Sequence, residues 1–146
     1  MAKNTQPFIP FSQFWLLEEL PGLNEETKTR FSSCGIQTTE ELLQKASTPS
    51  LKQELIQQLQ LPPQVVNKWI AMADLARLKS VGCQYCGLLL HSGVASVTQL
   101  AVTPAARLHK QILRLQVATL QRRDLCPSVS EVQTWIREAS AIKLPR

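Results

Sequence analysis

A chain of 146 residues with 44% hydrophobic content is long enough for one globular domain with a single core, and its 5% aromatic content is low. No apolar run reaches the length that crosses a bilayer, and the opening Met1-Ala2-Lys3-Asn4-Thr5-Gln6-Pro7 lacks an apolar signal segment, so a cytoplasmic protein without membrane contact is expected. The net charge of +5 is uneven: residues 1–60 carry five Lys/Arg against seven Glu, giving −2, and residues 61–146 carry eleven against four acids, giving +7. A polyanionic partner is therefore expected at the second half.

Residues 1–11, with Pro7 and Pro10, read as an extended arm ahead of a single domain over 12–146. Ser12 is placed as the N-cap of a short apolar helix carrying Phe14, Trp15, Leu16, Leu17 and Leu20, which Pro21-Gly22 ends. Asn24 opens the next helix with Glu25 and Glu26 in the first turn, where the helix dipole favours acids, and Cys34-Gly35 stops it. Thr38 and Glu41 form a capping box ahead of Leu42-Leu43. Thr48-Pro49 starts a helix with an inward face of Leu51, Leu55, Ile56 and Leu59. Pro62-Pro63 starts a longer one with Val66, Trp69, Ile70, Ala73 and Leu75 inward.

The chain then repeats itself. Leu78-Lys79-Ser80-Val81-Gly82 follows Leu20-Pro21-Gly22-Leu23-Asn24 by 58 residues, and both are tight small-apolar-small turns before a helix that ends in Gly plus a β-branched residue. Ser96-Val97-Thr98-Gln99 repeats the capping box, and Thr103-Pro104 repeats the proline start before Leu108, Ile112, Leu115 and Val117. Pro127-Ser128 starts a last helix, in which Val132, Trp135, Ile136 and Ala139 match Val66, Trp69, Ile70 and Ala73 at an offset of 66. No segment shows the alternation of a strand. The pattern predicts an all-α fold of two tandem helix-hairpin-helix units sharing one core: unit one at about 12–61, unit two at about 62–126 and a closing helix at about 127–143. Neither half is expected to fold well alone.

The two hairpins resemble those of the tandem helix-hairpin-helix superfamily of DNA repair, recombination and replication proteins, which place a Gly-apolar-Gly turn where Gly22-Leu23-Asn24 and Ser80-Val81-Gly82 stand. From about residue 14 onward the chain is also similar to a family of cyanobacterial type labelled as a domain of unknown function. That second likeness is carried by Ala73-Asp74-Leu75-Ala76-Arg77 and by the Pro-Ser-x-x-Glu-Val-x-x-Trp-Ile segment from Pro127 to Ile136, and it implies a fold. Each hairpin departs from the superfamily pattern at one glycine, at Asn24 and at Ser80. A Cβ there limits how closely the backbone approaches a phosphate, and Glu25-Glu26 repels one at the first turn.

The second hairpin is the candidate phosphate site. The N–H groups of Val81, Gly82 and Gln84 would cradle the anion within the turn that Ser80 opens, with Arg77 and Lys79 beside it and Arg107, Lys110, Arg114, Arg122 and Arg123 extending the basic surface. Such contacts are independent of base sequence and weaken as salt rises. Gly22, Leu23 and Asn24 form the degenerate first hairpin. The competing view makes both turns packing devices and the basic residues a solvated face.

Cys83-Gln84-Tyr85-Cys86 followed by His91 has the outline of a zinc or dithiol site. Cys126 stands in no paired motif to complete four zinc ligands, and the strand-helix setting of a redox dithiol is missing, so free thiols are expected. His91 and His109 lack acid or nucleophile partners in the pattern, so no enzymatic activity, metal or cofactor is expected. Trp15, Trp69 and Trp135 are read as core. The functional expectation is a non-enzymatic module that binds nucleic acid, DNA in preference to RNA, through its basic second half. The alternative is a protein-interaction adaptor with purely structural hairpins, in which the acidic first half or an exposed apolar groove docks a partner.

Overall fold

The structure, a computed structural model, describes residues 12–119 and 127–143. The expected arm at 1–11, Arg122, Arg123 and Cys126 lie outside the described residues, as does the side chain of Val117. The described chain is all-helical. A single 3-10 turn at Leu17–Glu19 precedes α1 (Glu25–Ser33), α2 (Thr39–Lys45), α3 (Pro49–Leu59), α4 (Pro63–Leu75), α5 (Gly82–His91), α6 (Val97–Ala101), α7 (Ala105–Thr119) and α8 (Val129–Lys143).

Short-range hydrogen bonds account for most helix starts. Asn24 accepts from the Thr27 N–H at 2.8 Å, and Thr48 from the Leu51 N–H at 3.1 Å with Pro49 in the first helical turn. Thr38 and Glu41 close a full capping box, each side chain accepting from the other's N–H at 3.1 Å. At α6, Ser96 accepts from the Gln99 N–H, while Gln99 Oε1 reaches past the cap to the Ala95 N–H at 2.9 Å. The start of α7 departs from the expectation of Pro104 at the first helical position. Thr103 donates its hydroxyl backward to the Gln99 carbonyl at 2.7 Å, Pro104 offers its carbonyl to the Leu108 N–H, and the helix begins at Ala105.

No helix runs over 14–20 in the form expected. Residues 12–16 are an extended strap, bridged antiparallel at Ser12 to Leu78 and at Leu16 to Thr38. Gln13 donates its N–H to the Arg77 carbonyl at 2.8 Å, and Leu17 donates to the Gln37 carbonyl at 2.9 Å. Trp15 donates its N–H to Thr39 Oγ1 at 3.0 Å and accepts from the Thr39 N–H at 2.8 Å. Its indole N–H donates to the Ala76 carbonyl, 61 residues away, at 2.9 Å. Lateral partners thus satisfy backbone groups that a helix would have paired internally. Alternation follows: Leu17 is buried and Trp15 packs on the core, while Phe14 and Leu16 are exposed.

Packing pairs α2 with α4 and α6 with α8, so the two runs of four helices use corresponding partners, and α7 also lies on α8. Phe31, Leu42, Leu55, Val66, Trp69 and Ala73 belong to the same buried cluster as Leu89, Leu100, Leu108, Ile112, Val132, Trp135 and Ala139. Because α4 packs on both α2 and α5, it ties the first run to the second, and the core is continuous across them. Leu51, expected inward, is 40% exposed, and Met72 fills the α4 face in addition to the residues expected there.

Candidate nucleic-acid interface

The second hairpin joins α4 to α5 through a closed turn. The Val81 and Gly82 N–H groups both donate to the Leu78 carbonyl, at 3.0 and 2.8 Å, and the Val81 side chain is buried. Gly82 has a φ of +53°, and a Cβ there would stand 3.2 Å from Trp15 Cζ2, so a side chain would be strained by the backbone angle and would crowd the strap's indole. Ser80 donates its N–H to Glu138 Oε1 at 3.1 Å and its hydroxyl to Glu138 Oε2 at 2.5 Å. The Ser80 N–H and hydroxyl and the Val81 and Gly82 N–H groups are therefore engaged within the protein. Lys79 and Gln84 are exposed at its rim.

Arg77 does not join them as an open cation. Its Nη2 lies 3.0 Å from Asp74 Oδ1, and its side chain is 13% exposed. Asp74 Oδ2 accepts in turn from the Val97 N–H at 2.8 Å, which ties α4 to the start of α6. Both residues line a groove of about 500 Å³ together with Lys52, Asn67 and Ser96.

At the first hairpin Gly22 holds a φ of +85°, Leu23 is half-buried, and Asn24 acts as the helix cap. Glu18, Glu19, Glu25 and Glu26 are all exposed around this turn, so it presents an acidic surface. Lys28 answers one of them: its Nζ lies 2.6 Å from Glu18, whose hydrogen bond and charge raise the lysine pKa.

A row of accessible positive charge runs along α7. Leu108, Ile112 and Gln116 turn inward, while Arg107, Lys110 and Arg114, at positions i, i+3 and i+7, are exposed along the opposite side. None of the three ion pairs between described residues includes them.

The cysteine motif is enclosed. Burial pushes the Cys83 thiol up to about 11 and the Cys86 thiol up to about 12, so both stay protonated at neutral pH and lack the nucleophilic form. His91 Nδ1 is 2.8 Å from the Gly87 carbonyl, and among the described residues no cluster of His, Cys, Asp and Glu is arranged to hold a metal. Unfolded thiols ionise near 9, so above that pH the folded state holds protons that the unfolded state has released. Stability is expected to fall from about pH 9 toward 12, read as a decreasing urea midpoint, and Cys83→Ser/Cys86→Ser should flatten that fall.

Glu138 was not legible as a site residue, since a lone acid carries no motif of its own. The signal was in the register: at the offset of 66, Glu138 stands opposite Met72, a charge where the earlier copy is apolar. Ser128 and Glu131 were also readable, as a capping box that starts α8 with bonds of 3.0 and 3.1 Å.

Fold and site together define an all-α protein whose two helical runs share one core. The chain belongs to the family described as a domain of unknown function, DUF4332, which matches it over residues 21–142. No curated protein and no solved structure matches the chain.

Proposed function

We propose that the chain is a non-enzymatic tandem helix-hairpin-helix module that binds the DNA backbone without reading base sequence, through its second half. The observation that carries this is the row of Arg107, Lys110 and Arg114 along the solvent side of α7, in the half of the chain with a net charge of +7. Three cations at this spacing match a polyanion whose charges recur at short intervals, and releasing its counterions drives association. Lys79, exposed at the second hairpin, adds a fourth. The acidic first hairpin faces away from this role on charge alone.

The test is a salt series with a fluorescent duplex and a single strand, using the parent beside Arg107→Glu/Lys110→Glu/Arg114→Glu. The parent is expected to bind at micromolar concentration, and the triple variant to lose at least about tenfold in affinity, with the logarithmic salt slope reduced by about 3. No binding by the folded parent at low salt overturns the proposal. A second reading, the protein-interaction adaptor, is favoured by one observation: the Ser80, Val81 and Gly82 donors already serve Leu78 and Glu138. It predicts a parent that ignores DNA at every salt concentration.

A further inference from the structure

Met72 of α4 and Glu138 of α8 occupy corresponding registers with opposite chemistry, and Glu138 meets the second hairpin. Met72 Cε and Pro21 Cγ of the first hairpin both approach within 3.6 Å of the point where a Cβ on Gly87 would stand, so that side of the core is apolar. The second turn rests on a carboxylate, which takes both the N–H and the hydroxyl of Ser80. Two oxygens of a phosphate accept the same pair of bonds.

The surroundings also suit an anion from outside. A groove of about 340 Å³ opens beside Glu138, lined by Leu78, Lys79, Ala141 and Ile142, which gives the carboxylate somewhere to go. Lys79 is exposed at this groove, and Ser12, which also lines it, has a buried hydroxyl oxygen with no hydrogen-bond partner among the described residues.

We propose that the second hairpin is an oxyanion site held by Glu138, so that seating of this carboxylate and binding of an external phosphate exclude one another. The consequence rests on the DNA-binding reading: α7 makes the first contact, and the hairpin joins only where a backbone phosphate displaces Glu138. The exchange itself is measurable without DNA.

Inorganic phosphate is titrated into isotope-labelled parent, Glu138→Gln and Glu138→Gln/Ser80→Ala proteins, following the amide resonances of residues 79–82. Saturable shifts in Glu138→Gln that are absent from the parent and from the double variant are the expected result. Equal responses in parent and Glu138→Gln, or a response that survives loss of the Ser80 hydroxyl, overturn the proposal. If Glu138→Gln does not fold, Glu138→Asp, which withdraws the carboxylate by one methylene, takes its place with the same expected shifts. In the duplex assay Glu138→Gln is expected to bind about fivefold tighter than Glu54→Gln, which removes the same charge from the exposed side of α3. Equal affinities for those two overturn the exclusion at DNA. A parent that binds no duplex sinks the DNA reading, and a triple α7 variant that binds as well as the parent sinks α7 as the first contact; either leaves the phosphate result standing.

Discussion

Trp135→Ala is expected to cost about 4 kcal/mol, in the range seen when a buried tryptophan is truncated. Trp135 is 1% exposed in α8 and stacks on Tyr85 of α5, with ring centroids 5.0 Å apart and planes inclined by 43°. Its removal leaves a cavity between α8 and α5 and also dissolves that ring pair, itself worth about 1 kcal/mol. Domains of this size hold only about 5–15 kcal/mol of net stability, so one side chain decides a large share of it. The check is urea unfolding followed by the fluorescence of Trp15 and Trp69, which report on the strap and on α4. Because buried residues of both runs form one cluster and α4 packs against helices of both runs, both reporters should shift with the variant. Fluorescence that still unfolds at the parental midpoint would show the halves to be separable. Trp135→Phe keeps a ring against Tyr85 and should cost less than half as much.

Asp74→Ala ranks second, at about 2–3 kcal/mol, below the usual cost of breaking a fully buried ion pair because both partners retain some exposure. The carboxylate serves two elements. One oxygen holds the Arg77 guanidinium at 3.0 Å, and the other accepts from the Val97 N–H at the start of α6 at 2.8 Å. Truncation leaves a sparsely solvated cation and an unpaired helix donor together, and the second loss adds to the first. Asp74→Asn keeps an acceptor for Val97 and should lose about half as much. In a double-mutant cycle, Asp74→Ala/Arg77→Ala is expected to fall short of the sum of the single losses, with urea midpoints as the measure. Additive losses would show that the pair contributes nothing. Arg77 is thereby a poor probe of DNA contact, since reversing its charge strikes the Asp74 link before it tests any phosphate.

Much of the candidate site was legible, with its meaning partly inverted. The hairpin at Leu78 to Gly82 lies where the repeat places it, and the basic residues of α7 fall on one exposed side, as a period of 3.6 residues requires. What the repeat could not convey is that Ser80 already binds a carboxylate. Glu138 lies 58 residues further on, and a hydrogen bond across that distance leaves no trace in local spacing.

The same division runs through the whole chain. The sequence alone determined the helix starts at Asn24, Thr38, Thr48 and Ser96, because a cap is an interaction between residues three apart and needs no other part of the molecule. It also determined the matched inward faces of α4 and α8, since helical period and apolar burial together leave few other solutions. Tertiary structure alone decided that Trp15 lies on a strap and not on a helix. Phe14, Trp15, Leu16 and Leu17 satisfy a short apolar helix and a half-buried extended segment equally well, and the choice fell to partners at Thr38, Thr39, Ala76 and Arg77 that only the folded chain brings alongside.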